Sequence, residues 1–334
     1  MSGRETALVT GGAGFLGSHV AEHLVRMGLS VVVLDDLSGG FRRNVPEGAE
    51  LREGSIVDHD LVEALFDEHR FDHVFHLAAH AAEVLSHFIR RHSYTVNVVG
   101  SANLVNAAVR HDVRCFVFTS SIAVYGTTDE RFHEETVPRP AEPYGIGKWA
   151  VEQDLQAAQD LFGLPFIVFR PHNIYGERQN LSDPYRNVIG IFMNQVLRGE
   201  PCSIFGDGSQ TRGFSYVGDV GPVIAESIRQ PAAYGGTFNI GAEEPCSVMD
   251  LARIVHEAIG RDTGVVHLPA RPEGLAILSD HARIRRVFGS RETVSLAEGI
   301  RRMASWAKTV EPAPRRPFGP LEIDKGLPPS WAKL

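Results

Sequence analysis

Two side chains that could exchange a proton stand four residues apart, Tyr144 and Lys148, in the segment Tyr-Gly-Ile-Gly-Lys. On a helix this spacing places both on one face. A neighbouring ammonium favours the phenolate, so it lowers the pKa of a tyrosine hydroxyl and suits it to general-base work near neutral pH. Ser121, at the end of a predicted strand, could hydrogen-bond the oxygen that Tyr144 deprotonates. The alternative is that Tyr144 only caps a helix and Ser121 only ends a strand.

A glycine-rich segment near the N-terminus has the composition of a phosphate-binding loop. Gly11, Gly14 and Gly17 recur every three residues between a predicted strand and a predicted helix. The first allows a tight turn, the second lets backbone approach a pyrophosphate, and the third lets the helix pack on the sheet. The helix N-terminus then offers N–H groups to phosphate. This context favours a dinucleotide site over an ordinary turn.

The choice of dinucleotide depends on the end of the next predicted strand. Asp35 stands there, about 20 residues after the loop, where a carboxylate accepts both ribose hydroxyls of NAD and repels the 2′-phosphate of NADP. Arg42 and Arg43 could instead favour NADP, although their position in a loop is typical of solvated surface charge. The sequence therefore predicts NAD.

Short β-branched runs alternate with amphipathic segments through the first half of the chain. This alternation predicts a parallel sheet with helices on both faces. Strands are predicted at residues 7–9, 31–34, 74–77, 115–118, 166–169 and 237–241. Helices are predicted at residues 15–27, 61–69, 93–111, 144–162, 188–198 and 248–259.

The predicted fold class is α/β, a doubly wound parallel sheet of the Rossmann type with a smaller C-terminal α/β substrate-binding domain. We expect residues 1–172, with a return segment at about 214–241, to form the NAD-binding domain. Residues 173–213 and 242–334 would form the substrate-binding domain. The Pro-rich stretch 312–329 is predicted to be an irregular surface tail.

Composition narrows the classes of function. The 334 residues carry a formal net charge of −8, which argues against a nucleic-acid partner. The 3 cysteines form no CxxC pair, and no basic leader or membrane-length apolar run is present. The histidines between residues 69 and 92 are dense but lack ligand-like spacing, so no metal site is predicted. We expect a soluble, cytoplasmic protein with no membrane partner.

Taken together, the motifs resemble the extended short-chain dehydrogenase/reductase family, in its nucleotide-sugar epimerase and dehydratase branch. The resemblance covers about residues 6–288. The matching segments are TGGAGFLGSH (10–19), HLAA (76–79), Asn97, TSSIAVYG (119–126), YGIGK (144–148), RPHNIYG (170–176) and FGDGSQTRGFSYVGDV (205–220).

The resemblance implies roles for particular residues and a tightly bound NAD that is recycled within each turnover. Tyr144 would be the base, Lys148 would hold the nicotinamide ribose, and Ser121 would orient the substrate hydroxyl. The implied cofactor-binding residues are Gly11, Gly14, Phe15, Leu16, Asp35, Ser38, Ser55, Ile56, Leu77, Ala78, Ala79, Asn97, Thr119, Tyr144, Lys148 and Pro171. The implied substrate-binding residues are Ser120, Ser121, Tyr144, Asn173, Arg186, Arg212 and Arg271.

The reaction is predicted from what the catalytic segment lacks. Dehydratases and decarboxylases of this branch carry an acidic residue just before Val-Tyr-Gly, whereas this chain has Ser121, Ile122 and Ala123. The resemblance therefore implies 4-epimerisation of a UDP-sugar through a transient 4-keto sugar. The alternatives are a 4-keto sugar reductase, which Asp35 disfavours, and a non-catalytic NAD-sensing protein, which would not need both Tyr144 and Lys148.

The identity of the sugar is predicted from one charged side chain, that of Arg186. Arg186 lies in a loop that relatives use near the sugar, and a guanidinium suits a planar carboxylate. This favours UDP-glucuronate over a neutral or N-acetyl hexose, although Arg186 could simply pair with Asp183 at the surface. Arg271 lacks the family's nearby Asp, and Glu273 could replace it. Relatives pair two of their long helices in a homodimer, so a homodimer is expected.

Overall fold

The computed structural model describes residues 4–126, 131–185, 187–270, 276–310, 318–328 and 331. Its strands are β1 (Thr6–Thr10), β2 (Ser30–Asp35), β3 (Ala49–Glu53), β4 (His73–His76), β5 (Cys115–Thr119), β6 (Phe166–Pro171), β7 (Ile174–Tyr175), β8 (Cys202–Phe205), β9 (Thr211–Gly213), β10 (Ser215–Tyr216), β11 (Gly236–Ile240), β12 (Pro245–Ser247), β13 (Val265–Leu268) and β14 (Ala276–Ile277).

The helices alternate with these strands through most of the chain. They are α1 (Phe15–Arg26), α2 (His59–His69), α3 (Glu83–Ser86), α4 (Arg90–Tyr94), α5 (Gly100–Arg110), α6 (Pro143–Phe162), α7 (Val188–Arg198), α8 (Val217–Glu226), α9 (Val248–Ile259), α10 (Ala282–Phe288) and α11 (Leu296–Ala307). A π-helical turn, Thr95–Val99, joins α4 to α5 without a break.

The central sheet has seven strands in the order β11-β6-β5-β4-β1-β2-β3, and all neighbours run parallel. Most of its strands are continuous apolar runs, because helices cover both faces. Helices α1 and α8 pack on one face, whereas α2, α5 and α6 cover the other. The predicted doubly wound parallel fold is confirmed. The order reverses between β1 and β4, where such sheets bind ligands beyond the carboxyl ends of their strands.

A third apolar cluster lies mainly beyond β6 and is built largely from α7, α9 and α11. Two small sheets, β13-β8 and β12-β9-β14, accompany these helices. β11 returns to the edge of the central sheet from within the predicted return segment. The division into two domains with the stated boundaries stays a prediction.

Several elements differ from the sequence-based expectation. The helix expected from residue 93 begins at Arg90 and contains the π-helical turn. The expected bounds of α7 and α9 are confirmed, whereas α3, α8, α10 and α11 were missed. Residues 318–328 are irregular, as predicted, but they pack against the segment around α3. No helix in the described ranges is long and apolar enough to cross a bilayer.

Candidate active site

The glycine-rich loop joins β1 to α1 at the carboxyl edge of the sheet. Gly11 has φ +71°, and a Cβ there would lie 2.7 Å from the Ala78 nitrogen. A Cβ on Gly17 would collide with the Gly11 carbonyl oxygen. The first N–H groups of a helix have no partner within it, and Phe15 and Leu16 occupy these positions in α1. The loop therefore presents close backbone and open N–H groups, as a pyrophosphate requires.

Asp35 ends β2 beside this loop. Its carboxylate accepts hydrogen bonds from the backbone N–H groups of Ala13 (2.9 Å) and Leu37 (2.8 Å). Burial raises the pKa of Asp35, and these N–H groups oppose that shift. A carboxylate has about four acceptor positions, so capacity remains for ribose hydroxyls. Ser38 is exposed, and its hydroxyl donates to Asp36.

The two arginines that could have favoured NADP are both engaged within the protein. Arg42 forms an ion pair with Glu53 at the end of β3. The guanidinium of Arg43 lies 4.2 Å from the centre of the Phe41 ring. Both side chains are exposed, so the preference for NAD depends on Asp35 rather than on these contacts.

A buried hydrogen-bond chain fixes the loop after β4. The His76 Nδ1 lies 2.8 Å from the Thr10 hydroxyl, and its Nε2 lies 2.8 Å from the Ser101 hydroxyl. Burial holds the pKa of His76 well below its usual value, so the ring is neutral, with one donor and one acceptor nitrogen. Leu77 and Ala78 donate their N–H groups to Thr10. The loop that would line the cofactor is thus held against β1.

Asn97 supports the same loop from the π-helical turn. Its Oδ1 accepts the His80 N–H at 2.8 Å, and its Nδ2 donates to the His80 carbonyl at 3.2 Å. This pairing fixes the backbone directly after Ala79. π-Helical turns often occur at functional sites.

Ser55 and Ile56 follow β3, where the adenine edge is expected, and Ile56 is buried.

Lys148 connects α6 to the end of β5. Its ammonium donates to the Thr119 carbonyl at 2.8 Å and lies 5.9 Å from the centre of the Tyr144 ring. Burial lowers the pKa of Lys148 to about 7, and the carboxylate of Glu152 opposes this shift. The spacing predicted from sequence therefore places Tyr144 and Lys148 together beside the end of the strand.

The three residues after Phe118 point in different directions. The Thr119 hydroxyl is buried and has no hydrogen-bond partner among the described residues. Ser120 donates its hydroxyl to the buried Glu152 carboxylate. Ser121 accepts the Ala123 N–H at 3.1 Å and caps a 3₁₀ turn, so its hydroxyl hydrogen can still donate. Ser121 therefore suits the predicted substrate contact, whereas the substrate role predicted for Ser120 competes with its bond to Glu152.

A buried ionic network that the sequence analysis missed lies beneath these groups. Glu152 and Arg170 form an ion pair with side chains only 4% exposed. Arg170 also donates to the Tyr125 hydroxyl at 2.8 Å, which in turn donates to Asn239 Oδ1 at 2.7 Å. The available signal was a carboxylate one helical turn after Lys148, on the same face of α6.

Predicted substrate contacts lie beyond β6. Pro171 ends that strand, and Asn173 follows with φ +37°. The Asn173 amide donates to the Gly213 carbonyl at 3.1 Å. Arg212 on β9 is 9% exposed and donates to the Thr211 carbonyl. Asn173 thus holds β9, which carries Arg212, next to the end of the central sheet.

Two carboxylates that the sequence analysis missed lie near Tyr144. Glu142 occupies the N-cap position of α6, and its pKa is raised to about 7 by burial and by the charge of Glu83. Burial also raises the pKa of Glu83, although part of its surface is exposed, and Arg212 opposes that shift. The Tyr144 N–H donates to the Ser86 hydroxyl at 3.2 Å, which ties α3 to α6. We call Glu83, Glu142 and Arg212 the Glu83 region.

Three other predicted residues cannot be placed. Arg186, Arg271 and Glu273 lie outside the described residues. Within the described ranges, no group of three or more His, Cys, Asp or Glu side chains is arranged to hold a metal ion.

Comparison with known proteins identifies the family. Residues 7–241 match the model of the NAD dependent epimerase/dehydratase family. The chain is 37% identical to the UDP-glucose 4-epimerase of Mycolicibacterium smegmatis over 313 residues, which span 91% of this chain and 97% of that enzyme. This chain therefore belongs to the NAD dependent epimerase/dehydratase family.

Solved structures agree with this assignment. The UDP-glucose 4-epimerase of Thermotoga maritima, determined with UDP-glucose, has a TM-score of 0.87 and 34% identity, covering 91% of this chain and 99% of that one. The UDP-glucuronic acid 4-epimerase of Bacillus cereus, determined with UDP-glucuronic acid and NAD, has a TM-score of 0.83 and 26% identity, covering 91% and 99%.

The cofactor of this family is NAD, and the described residues fit it. The close approach of Gly11 to Ala78 leaves no room for a side chain on the loop. The unpartnered Thr119 hydroxyl lies at the carboxyl end of β5, where such sheets bind their ligands. We call Gly11, Asp35 and Leu77–Ala79 the nucleotide region.

Proposed function

We propose that this protein is a 4-epimerase of UDP-hexoses that uses NAD as a recycled cofactor. The observation that carries the proposal is the bond from Lys148 to the Thr119 carbonyl. It joins the helix face that bears Tyr144 to the strand end that bears Ser121. This connection supports a common site for the three groups that would deprotonate and orient one sugar hydroxyl. The sequence similarity to UDP-glucose 4-epimerases supports the same reaction.

In the proposed mechanism, the Tyr144 phenolate removes the proton from the C4 hydroxyl while Ser121 donates a hydrogen bond to the same oxygen. The Lys148 ammonium stabilises the phenolate. NAD, which Gly11, Asp35 and Leu77–Ala79 would hold, would supply the hydride acceptor and donor for C4. After the 4-keto sugar has turned, Tyr144 would return the proton to the C4 oxygen. No net oxidation would result, so the reaction would not require exchange of the cofactor.

The absence of an acid at two positions favours epimerisation over elimination or decarboxylation. Ile122 and Ala123 follow Ser121 in the 3₁₀ turn, and neither can transfer a proton. A 4-keto sugar reductase would have to exchange its cofactor, commonly NADPH, and Asp35 disfavours that cofactor. A non-catalytic NAD sensor would not need the Tyr144–Lys148 arrangement.

The similarity to UDP-glucose 4-epimerases supports a neutral hexose as the substrate. The predicted reading of a hexuronate by Arg186 lies outside the described residues, so UDP-glucuronate stays a prediction. The homodimer and the cytoplasmic location also stay predictions.

A substrate screen tests this proposal. Purified protein with its bound NAD is incubated with UDP-glucose, UDP-glucuronate or UDP-N-acetylglucosamine, and 4-epimers are followed by NMR. We expect UDP-galactose from UDP-glucose, no net change in absorbance at the wavelength of reduced cofactor, and slower turnover of UDP-glucuronate. Stoichiometric consumption of added NADPH with a 4-keto sugar would instead identify a reductase. Faster turnover of UDP-glucuronate would reverse the assignment of the sugar.

A further inference from the structure

The C-terminal part of the chain packs against α3 and the start of α4, next to the Glu83 region. We call residues 318–328 and 331 the C-terminal strap. It contains no helix or strand among its described residues, and it lies beyond the residues 7–241 that match the family model. Polar, aromatic and apolar contacts hold it in place.

The polar contacts cap a helix. The Glu322 carboxylate accepts the backbone N–H groups of Arg91 and His92, each at 2.8 Å. These residues form the first turn of α4, where Ile89 at the N-cap position provides no side-chain bond. A carboxylate at this end satisfies open N–H groups and interacts favourably with the helix dipole. The strap therefore supplies the cap that the sequence of α4 lacks.

The aromatic contacts begin at the loop that Asn97 holds. The Phe318 ring lies 5.1 Å from the His80 ring and 5.0 Å from the His92 ring, measured between ring centres. His80 directly follows Ala79 of the nucleotide region. The start of the strap thus packs on the segment that connects the cofactor loop to α3.

The far end of the strap bridges two parts of the molecule. The Trp331 ring lies 5.7 Å from the Phe88 ring, just after α3, and 4.8 Å from the Tyr185 ring. Tyr185 belongs to the segment before α7, which follows β6 in the chain. Between these ends, Leu321 and Leu327 of the strap pack against a small buried cluster around α3, formed by Ala82, Leu85, Phe88 and Ile89.

Helix α3 is therefore held between the strap and Tyr144. Leu85 packs towards the strap, whereas Ser86 receives the Tyr144 N–H. Glu83, at the start of the same helix, interacts electrostatically with Glu142 and Arg212. A shift of α3 would move Glu83 relative to Glu142 and Tyr144, which belong to α6.

We propose that the C-terminal strap is a specificity-determining part of the sugar site, with Trp331 and Glu322 as positioning residues. It fixes α3 and the Tyr185 segment as a wall against which the sugar must turn. This inference rests on the proposed function.

Trp331→Ala in the NAD-bound enzyme tests the strap. Calorimetry would compare the binding of UDP with that of UDP-glucose. We expect UDP-glucose to bind about tenfold more weakly and UDP to bind unchanged, because the lost aromatic contacts support only the sugar end. The KM for UDP-glucose should rise more than kcat falls, and the relative kcat/KM for UDP-N-acetylglucosamine should increase as the wall loosens.

Glu322→Gln is the second variant, because it keeps the size of the side chain while removing its charge. Glu322→Gln replaces Trp331→Ala in the test if that variant does not fold. We expect it to bind UDP-glucose about threefold more weakly than wild type and to bind UDP unchanged. Lys325→Ala, at an exposed position in the strap, is the matched control and should leave both ligands unaffected. Bound NAD should be equal in all variants.

The outcomes separate this inference from the proposed function. Equal weakening of UDP and UDP-glucose, or no change relative to Lys325→Ala, would overturn the role of the strap. Wild-type protein that binds UDP-glucose without forming a 4-epimer would overturn the proposed function. The comparison of UDP and UDP-glucose binding would still test whether the strap shapes the sugar site. Wild-type protein that binds neither ligand would overturn both.

Discussion

The nucleotide region and the Glu83 region are held in different ways. In the nucleotide region, Asp35 receives two backbone N–H groups, and the loop at Leu77–Ala79 is fixed by the Thr10–His76–Ser101 chain. In the Glu83 region, two carboxylates that repel each other lie near a single guanidinium. A cofactor that stays bound benefits from fixed partners, whereas a sugar that must turn cannot be held by many directional bonds.

The largest expected effect tests whether the catalytic rate and the binding of NAD depend on different residues. Tyr144→Phe removes the phenolic oxygen, and loss of a general base commonly costs about 1,000-fold in rate. We expect kcat to fall by about that factor while bound NAD, released by denaturation and quantified, stays unchanged. Lost cofactor in this variant would mean that Tyr144 belongs to the nucleotide region, and retained turnover would refute the proposed function.

Sequence reasoning predicted local geometry best where the residues concerned are close together in the chain. The glycine loop, Asp35 and the pair Tyr144–Lys148 each lie within one strand, turn or helix, so their neighbours along the chain already indicate their geometry. The loop also demands particular backbone conformations, such as the positive φ of Gly11. These constraints leave a signal in residue type.

The Glu83 region could not be found in the same way. Glu83 and Glu142 belong to separate helices that meet through the bond from the Tyr144 N–H to Ser86. Neither residue has a local pattern that points to the other. The C-terminal strap likewise depends on contacts between residues far apart in the chain, such as that of Glu322 with the start of α4. In contrast, the missed helix α11 had a readable signal, since Ser295 and Glu298 have the spacing of a capping box.

The next effect concerns the support beneath the catalytic groups. Arg170→Met leaves the Glu152 carboxylate buried without its cation, which commonly costs about 3–5 kcal/mol in the free energy of unfolding. We expect urea denaturation to show a loss of that size. Replacing both partners, Glu152→Leu with Arg170→Met, should lose less, because the unpaired Glu152 carboxylate is removed. Some loss should remain, since the buried Lys148 ammonium loses the favourable charge of Glu152. A double variant as unstable as the single one would show that hydrogen bonds to Ser120 and Tyr125, rather than charge pairing, hold this network.

The smallest effect tests the electrostatics of the Glu83 region through pH. The pKa of Glu142 is about 7 in the folded protein against an ordinary value of 4.5, so the folded state binds more protons than the unfolded state between these values. The contribution of this group to stability therefore falls as pH rises from 4.5 to 7. Glu142→Gln cannot ionise, so its free energy of unfolding should equal that of wild type near pH 4.

Above pH 7 the Glu142→Gln variant should be more stable than wild type by about 1 kcal/mol, a figure reduced for the partial solvent exposure of the carboxyl group. Differential denaturation from pH 4 to 8 measures this, with Glu47→Gln as an exposed control. Lys148 also titrates near neutral pH, but it contributes equally to both proteins and cancels in the difference. If the difference does not depend on pH, the pKa of Glu142 is the same in the folded and unfolded states. The repulsion between Glu142 and Glu83 would then be refuted.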